Sequence, residues 1–465
     1  MADSLSRVFS QFVSNLRYEK LPIEVVDKLK ASLLHSMVVS IIGAGTEQGK
    51  HAIELIKQEE SQERGATILS DGSKATRAGA AFANSKLMHA TNQSDSYRML
   101  LHPGPCVIPA VLASAELEMS TGKQLLTAMA AAYEVESRIG GDFIPSTQAR
   151  GFRSSAVYGT LGSAVGTGKL LDLTEDQLVT CIALACTFTG GTNEGPRSGG
   201  REMMFHEPMS TRTGIMAALL ARENVKGSEM SLEGDAGFYN AFVGNNRGEL
   251  SYVFAGPDKV DVADILKGLG KNWEILHITP KIYPTAGYNN PVIDLMTDIR
   301  AAHSIDSKSI TSINIDMNWL ETTYPSPAFP NTARTEPGIG SSHYFAAYTC
   351  FYGYYPPLKE RVDPGNADKG QEQQVMELMK KVTIIGHKDR PAFSPKITIT
   401  MSDGTAYEGE YNGNELKWNL ETEINRIQDV FSEMDWPEEK LTQLVECVQN
   451  IEYENDVGTL IGLCS

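Results

Sequence analysis

The sequence predicts a mixed architecture, in which a smaller α+β domain is inserted into a large all-helical domain. Apolar residues recur at helical spacing through the first 270 residues, strand-like alternation appears near 313–317 and 395–411, and helical spacing resumes near 416. Runs of helices separated from a cluster of strands are typical of such segregated α+β arrangements. We therefore expect a helical domain over 1–272, an α+β domain over 273–413 and a helical return over 414–465.

The first part predicts a compact helical bundle. From Pro22, apolar residues at Val25, Leu29 and Leu33 occupy one helical face, and Pro22 and Gly43 suit the first turn and the position after the helix. Many of these segments are rich in Ala, Gly and Ser, which let helices approach closely. Further helices are expected at 109–119, 123–139, 156–171, 175–186, where Thr174 and Gln177 have capping-box spacing, and 211–223.

The second part predicts strands and helices together. Ile313, Ile315 and Met317 alternate with polar residues, as in a half-buried strand. Segments 395–401 and 405–411 flank a Ser-Asp-Gly turn at 402–404, which indicates a hairpin. Helical stretches are expected between these strands, at 341–354 and 369–382.

Charge and composition exclude several classes of partner. The chain has 465 residues and a net charge of −17, from 41 basic and 58 acidic residues. Nucleic acid and anionic membranes both require a basic surface, so neither is expected as the main partner. No apolar run approaches the ~18–20 residues of a spanning helix, and the N-terminus has no apolar signal region, so a cytoplasmic protein is expected. A small anionic substrate remains compatible, because a few local cations can form its site.

The cysteines and common motifs exclude several kinds of chemistry. The six cysteines form no C-x-x-C and no zinc spacing, so buried free thiols in a reducing compartment are expected. Gly43-Ala-Gly45 lacks the glycine spacing of a dinucleotide site, and Gly159, Gly162 and Gly166 are better interpreted as helix-packing glycines than as a phosphate loop. No G-x-S-x-G or H-E-x-x-H motif occurs, so a serine hydrolase or a zincin has no support.

His102 is the histidine whose setting favours chemistry. It follows a polar stretch, 94–98, and precedes Pro103-Gly104-Pro105, which interrupts regular structure. Such a loop can hold a side chain towards a cleft. A single loop histidine is more often structural than catalytic, so the spacing alone leaves both roles open.

Segments along nearly the whole chain resemble the MmgE/PrpD family, which includes 2-methylcitrate dehydratase and cis-aconitate decarboxylase. The resemblance implies the same helical domain with an inserted α+β lid, a homodimer, and catalysis without a metal or organic cofactor. The segments that carry it, in chain order, are Ala90-Thr91-Asn92-Gln93-Ser94-Asp95-Ser96 with His102-Pro103, 107–113, Gly151-Phe152-Arg153 to 171, 203–214, Lys281-Ile282-Tyr283-Pro284 with Asn290-Pro291 and Asp294, and Tyr324 ahead of Phe329-Pro330.

The resemblance also implies site residues. His102, Lys281 and Tyr324 stand where the family places functional groups and are expected to be catalytic. Five further positions are expected to bind substrate. Ser96 stands where the decarboxylases have a threonine. The other four depart from the family pattern: Asn92 replaces an aspartate, Arg153 replaces a histidine, Met203 replaces a lysine and Asn290 replaces a histidine. Arg153 could clamp a carboxylate but is a poor proton carrier.

These residues favour three functions. The first is a lyase, either a dehydratase or a decarboxylase, in which His102 moves a proton beside a carboxylate bound by Lys281 and Arg153. The second is a repurposed isomerase or cyclase acting on a larger metabolite, and the third is a binding protein without activity. Met203 and the aromatic residues at 324–355 predict a substrate bulkier and less charged than citrate or aconitate.

Overall fold

The fold was derived from a computed structural model that describes residues 3–332, 336–357 and 369–465. Helices predominate and surround a single hydrophobic core. Their bounds are α1 Leu5–Asn15, α2 Ile23–Ala44, α3 Glu47–Glu60, α4 Arg77–His89, α5 Gly104–Leu117, α6 Gly122–Gly140, α7 Ile144–Ala149, α8 Ser154–Leu170, α9 Glu175–Phe188, α10 Glu194–Ser198, α11 His206–Arg222, α12 Phe238–Phe242, α13 Asn290–Ala302, α14 Ser342–Tyr352, α15 Lys369–Met379, α16 Leu420–Ile427, α17 Glu438–Gln449 and α18 Gly458–Leu463.

The predicted helices of the first part are confirmed with shifted ends. The capping box of Thr174 and Gln177 opens α9 as expected. Gly43, expected just beyond the end of α2, instead lies inside that helix. A Cβ there would lie 2.0 Å from the carbonyl oxygen of Leu87, so the glycine allows α2 to touch α4.

Small residues govern the packing of α5, α6, α8 and α11. A Cβ at Gly159 would lie 2.4 Å from the Sγ of Cys106, and one at Gly166 would lie 2.6 Å from Val111. These contacts confirm that the glycines of α8 serve helix packing. All six cysteines are free thiols, as expected, and four of them are buried.

The strands form three sheets. A four-stranded sheet has the order β6-β3-β7-β8. The predicted strand and hairpin are confirmed as β3 and β7–β8, but β6 begins where a helix was expected to continue to residue 382. A small β1–β2 sheet also interrupts the part predicted as wholly helical. The strands are β1 Ser61–Thr67, β2 Lys74–Ala75, β3 Ile310–Asn318, β4 Pro325–Ser326, β5 Phe329–Pro330, β6 Val382–His387, β7 Lys396–Met401 and β8 Ala406–Glu410.

The C-terminal helices pack against α2, near the start of the chain. The Nδ1 of His35 on α2 lies 2.7 Å from the Oε1 of Glu423 on α16, and both side chains are fully buried. Arg426, one turn further along α16, pairs with Asp294 on α13, whose carboxylate also accepts a hydrogen bond from Tyr283. Within the described ranges, no helix is both long and apolar enough to cross a membrane.

Candidate active site

A cavity of about 680 Å³ lies where loops of the helical part face the strands and loops between residues 281 and 384. Six of the eight predicted site residues line it together. They are Asn92, His102, Arg153, Met203, Lys281 and Tyr324. The structure thus brings five separated segments of the chain to one place.

The two remaining predicted residues, Ser96 and Asn290, do not line this cavity. The backbone of Ser96 pairs with Thr279 through two 2.8 Å hydrogen bonds, and its buried hydroxyl has no hydrogen-bond partner. Asn290 is also buried, and its Oδ1 accepts a hydrogen bond from the backbone N–H of Tyr283 at 3.0 Å. Both residues support the backbone on either side of Lys281.

His102 is held by the loop that precedes it. Its Nδ1 lies 2.9 Å from the backbone oxygen of Asp95, and its backbone N–H donates to the Oγ of Ser155 at 3.1 Å. The carboxylate of Asp95 fixes the same loop, since it accepts from the backbone N–H of Gly104 at 2.7 Å and from the hydroxyl of Tyr133 at 2.8 Å. The loop therefore closes on itself around a buried aspartate.

This arrangement fixes the tautomer of His102. A carbonyl oxygen only accepts, so Nδ1 carries the proton and Nε2 keeps its lone pair. Burial lowers the pKa of His102 well below its usual value, and the nearby charge of Lys281 lowers it further. The imidazole is therefore neutral at physiological pH, and its Nε2 can accept a hydrogen bond or a proton from a bound ligand.

Lys281 supplies a cation to the same cavity. Its side chain is 2% exposed and forms no hydrogen bond or ion pair with any residue that the structure describes. Burial lowers the pKa of Lys281 to about 7, although the carboxyl groups of Asp95 and Glu207 oppose that change. The Ser96–Thr279 pairing and a 2.7 Å hydrogen bond from the side chain of Gln93 to the carbonyl of Ile282 fix the segment.

Arg153 differs from the expected carboxylate clamp, because its charge is already matched. Its Nη1 forms an ion pair with Oε1 of Glu207, and its Nη2 lies 3.4 Å from the Nε2 of His89. All three side chains are buried. Burial raises the pKa of Glu207, but the charge of Arg153 and the other neighbouring groups together outweigh this effect, and the net shift is downward. The pair is therefore ionised and contributes little net charge to the cavity.

Glu207 and His89 were missed by the sequence reasoning. Glu207 is the second residue of α11, in His206-Glu207-Pro208, and an acidic residue in a first helical turn is ordinary. His89 ends α4, and its ring centroid lies 5.3 Å from that of His102. Burial and the charge of Arg153 lower the pKa of His89 well below its usual value, so it is neutral. No local pattern indicates that these two residues meet Arg153.

The far wall of the cavity is formed by residues between 284 and 345. Tyr324 lies there, and burial raises the pKa of its hydroxyl, which keeps it protonated. Glu321 also lines the wall and accepts backbone hydrogen bonds from Phe393 at 2.7 Å and Asn318 at 3.2 Å. Burial raises the pKa of Glu321 to about 8 despite these two donors. Of the aromatic cluster on α14, Phe345 reaches the cavity.

Metal ligation finds no support in this geometry. The described parts of the chain hold no group of three or more His, Cys, Asp or Glu side chains that could bind a metal ion. The cavity instead offers the neutral imidazole of His102, the unpaired lysine Lys281, the phenol of Tyr324 and the compensated ion pair of Arg153 with Glu207. Such groups can take a proton from carbon, bind one carboxylate and return a proton.

The chain is similar to several known proteins. The chain is 25% identical over 300 residues to a cis-aconitate decarboxylase from Aspergillus terreus, an alignment that covers 63% of this chain and 59% of the relative. It is 23% identical to the cis-aconitate decarboxylase-like protein oryM of Aspergillus oryzae, and that alignment covers 98% of this chain and 96% of the relative. It is 26% identical to the human cis-aconitate decarboxylase, and that alignment covers 53% of this chain and 51% of the relative.

A family model supplies the assignment. The model of the MmgE/PrpD N-terminal domain matches residues 7–251, which is more than half of the chain. The matched range contains the His102 loop, Arg153 and Glu207. The chain belongs to the MmgE/PrpD family.

Proposed function

We propose that this protein is a lyase that uses acid–base chemistry on a carboxylic acid. The observation that carries the proposal is that the unprotonated Nε2 of His102 and the unpaired cation of Lys281 belong to one cavity. The family and its cis-aconitate decarboxylase relatives support a lyase-type function.

The groups suit proton removal beside a carboxylate. Lys281 binds the carboxylate, and His102 takes the proton from the adjacent carbon. The electron pair left on that carbon delocalises towards the carboxylate, where the ammonium group stabilises the developing charge. In a dehydration, the neighbouring C–O bond then breaks and the oxygen leaves as water with a proton from Tyr324. His102 returns its proton to the phenolate, and the carbon–carbon double bond is the product.

Decarboxylation uses the same groups in another order. The C–C bond to a carboxylate breaks, carbon dioxide leaves, and the electron pair remains on the carbon. Tyr324 then gives that carbon a proton, and solvent reprotonates the phenolate. Both reactions are lyase reactions, and both need a proton-transferring group and the cation to face one substrate.

The cavity favours a substrate that is bulkier and less charged than citrate or aconitate. Arg153 is compensated by Glu207, and Met203 adds no charge. Glu336 also lines the cavity, and its carboxylate disfavours a second and third carboxylate. One unpaired lysine among the described lining residues suits an acid with one carboxylate near His102.

A second candidate is an isomerase or cyclase on the same scaffold. It is favoured by the Arg153–Glu207 pair, because an ion pair in place of a mobile proton carrier reduces the proton-transfer capacity of the site. In that case His102 would return its proton to the same substrate and nothing would leave. A binding protein without turnover is a third candidate.

The test separates the three candidates by product analysis. Wild type, His102→Gln and Lys281→Met are incubated with a panel of citrates, alkylcitrates, aconitates and alkylmalates, and the products are identified by mass spectrometry. We expect loss of water or carbon dioxide, a fall of about 10²–10⁴-fold in rate for His102→Gln, and weaker turnover for Lys281→Met.

Other outcomes contradict the lyase. A product of unchanged mass would indicate an isomerase or cyclase. Binding without any turnover would indicate a binding protein. Full activity in His102→Gln would remove His102 from the mechanism.

A further inference from the structure

Two amide side chains share one corner of the cavity and have no role in the chemistry above. Gln148 on α7 and Asn193 both line the cavity, and they are 3% and 5% exposed. The Nδ2 of Asn193 donates to the Oε1 of Gln148 at 2.6 Å. Two buried amides in contact hold each other in one orientation. The hydrogen-bond donors and acceptors in this corner therefore have fixed positions.

The backbone places this amide pair beside Arg153. The N–H of Asn193 donates to the carbonyl of Gly151 at 2.8 Å, and the N–H of Arg153 donates to the carbonyl of Gly191 at 3.0 Å. Phe152 and Thr192 form the bridge between these two contacts. The amide pair therefore belongs to the same rigid turn as the start of α8.

The hydrogen bond between the two amides leaves a definite set of unused groups. It uses one N–H and one lone pair, and neither side chain has another hydrogen bond among the described residues. If both amides are turned over, so that Gln148 donates to Asn193, the pair is equivalent. Either way one amide oxygen and one amide NH₂ remain for a ligand, one accepting and one donating.

A ligand group that fills this corner must both donate and accept. A carboxylate only accepts, so one of its oxygens would face the amide oxygen. A hydroxyl donates to that oxygen and accepts from the NH₂ group. We propose that Gln148 and Asn193 form a subsite for a neutral hydroxyl group of the substrate.

The proposal rests on the lyase function and narrows its substrate to a hydroxy acid. When the hydroxyl is on the carbon next to the one that loses its proton, it is the leaving group. The C–H bond then breaks with the proton passing to His102, and the C–O bond breaks with the oxygen taking a proton from Tyr324 and leaving as water. His102 then returns its proton to the phenolate. This assignment favours dehydration over decarboxylation.

The experiment compares pairs of acids that differ by one hydroxyl. Dissociation constants of 2-butylmalate and 2-butylsuccinate, and of citrate and propane-1,2,3-tricarboxylate, are measured by calorimetry. For the pair that binds more tightly, we expect the hydroxy acid to be favoured by about tenfold or more, because its analogue leaves the amide pair unsatisfied.

Variants of Gln148 and Asn193 test whether these two amides cause the preference for the hydroxy acid. Gln148→Met and Asn193→Leu keep the side-chain size but remove the amide, and we expect the hydroxy preference to fall to about twofold or less while the deoxy acid binds as before. Thr322→Val removes a hydroxyl elsewhere in the cavity wall and is the matched control, with the preference retained. Circular dichroism and melting temperatures verify that each variant folds.

The results are independent of turnover. Equal affinity within each pair, no measurable binding of any of the four acids, or a preference that survives in both amide variants would overturn the subsite. A hydroxy preference that depends on the amides, together with no turnover that depends on His102, would instead keep the subsite and refute the lyase.

Discussion

At the scale of single residues, the site depends on how burial changes the charge of a few groups. Lys281 carries the clearest effect, since burial lowers its pKa to about 7. His102 is neutral throughout the useful pH range, because its pKa is lowered well below its usual value. In the proposed mechanism, the loss of the Lys281 cation, rather than any change in His102, therefore limits activity at alkaline pH.

We expect kcat/KM for an anionic substrate to fall above about pH 7, by about tenfold per pH unit. Above that pH the free enzyme loses the proton of Lys281, and an uncharged amine no longer attracts a carboxylate. Steady-state kinetics between pH 5.5 and 9 would reveal this break. Lys281→Arg keeps its charge and should move the break to higher pH, whereas an unchanged break in that variant would assign it to another group.

Some residues of the site could be predicted from the sequence, and others could not. His102, Lys281 and Tyr324 could be placed from the segments that resemble the family, and the cavity contains all three. The neutralisation of Arg153 could not be predicted, because it depends on α4 and α11 meeting at the start of α8. Ser96 and Asn290 could not be separated from the lining residues, because a motif gives proximity in the chain but not the direction of a side chain.

At the scale of elements, α16 is connected by a continuous set of contacts to the loop that precedes His102. His35 on α2 lies between Glu423 and the carbonyl of Gln93, with its Nε2 2.5 Å from that oxygen. Both partners are acceptors, so His35 donates from both nitrogens. Burial lowers the pKa of His35, but Glu423 outweighs it and the net shift is upward. The pair is therefore a buried ion pair that fixes a C-terminal helix to residue 93.

We expect Glu423→Gln to destabilise the protein by about 3 kcal/mol at pH 6, because removing one partner leaves a buried charge uncompensated. The raised pKa of His35 stabilises the fold. This stabilisation is complete below the pKa of the unfolded state, about 6.5, and it disappears as the pH rises through the pKa of the folded state. The difference from wild type should therefore shrink at alkaline pH. Melting temperatures from pH 5.5 to 9 measure it.

Glu421→Gln serves as the matched control for Glu423→Gln. It makes the same chemical change at an exposed position of α16 and should alter the melting temperature little at any pH. A deficit for Glu423→Gln that does not change with pH would contradict the ionised pair.

Two strands, β6 and β1, were not predicted from the sequence, and the reasons are physical. β6 follows α15 closely and pairs in parallel with β3, and the helical spacing of 369–379 continues into its first apolar residue, Val382. β1 begins with four exposed residues, so its pattern lacks the alternation of a half-buried strand. The helices and the β7–β8 hairpin were predictable because their periodicity and turn residues are local.

At the scale of the whole molecule, α11 has an apolar face that the single chain leaves exposed. Met209, Met216 and Leu220 are 47%, 41% and 36% exposed and lie on one side of the helix. The other side of α11 packs against α4, α8 and α9. We propose that this face packs against a second copy of the chain in the homodimer that the family resemblance implies.

We expect the wild-type protein to have about twice the 50.7 kDa chain mass in solution, and Met216→Glu to shift it towards 50.7 kDa. A buried charge at a symmetric contact is costly, because each copy contributes one. Sedimentation velocity at micromolar concentration measures the mass. Met119→Glu, at an equally apolar residue that is 79% exposed on another surface, is the control and should leave the mass unchanged. A monomeric wild type, or a dimer that persists in Met216→Glu, would contradict this interface.

The hydrogen bonds of the buried Asp95 determine when the side chain of His102 becomes ordered. Its carboxylate holds Gly104 and Tyr133, while its backbone oxygen holds the ring of His102. The imidazole therefore loses its rotational freedom when the chain folds and not when substrate arrives. Replacement by asparagine would return part of that freedom to the free enzyme, so its cost would appear in the activation entropy of turnover, even if the affinity for substrate were unchanged.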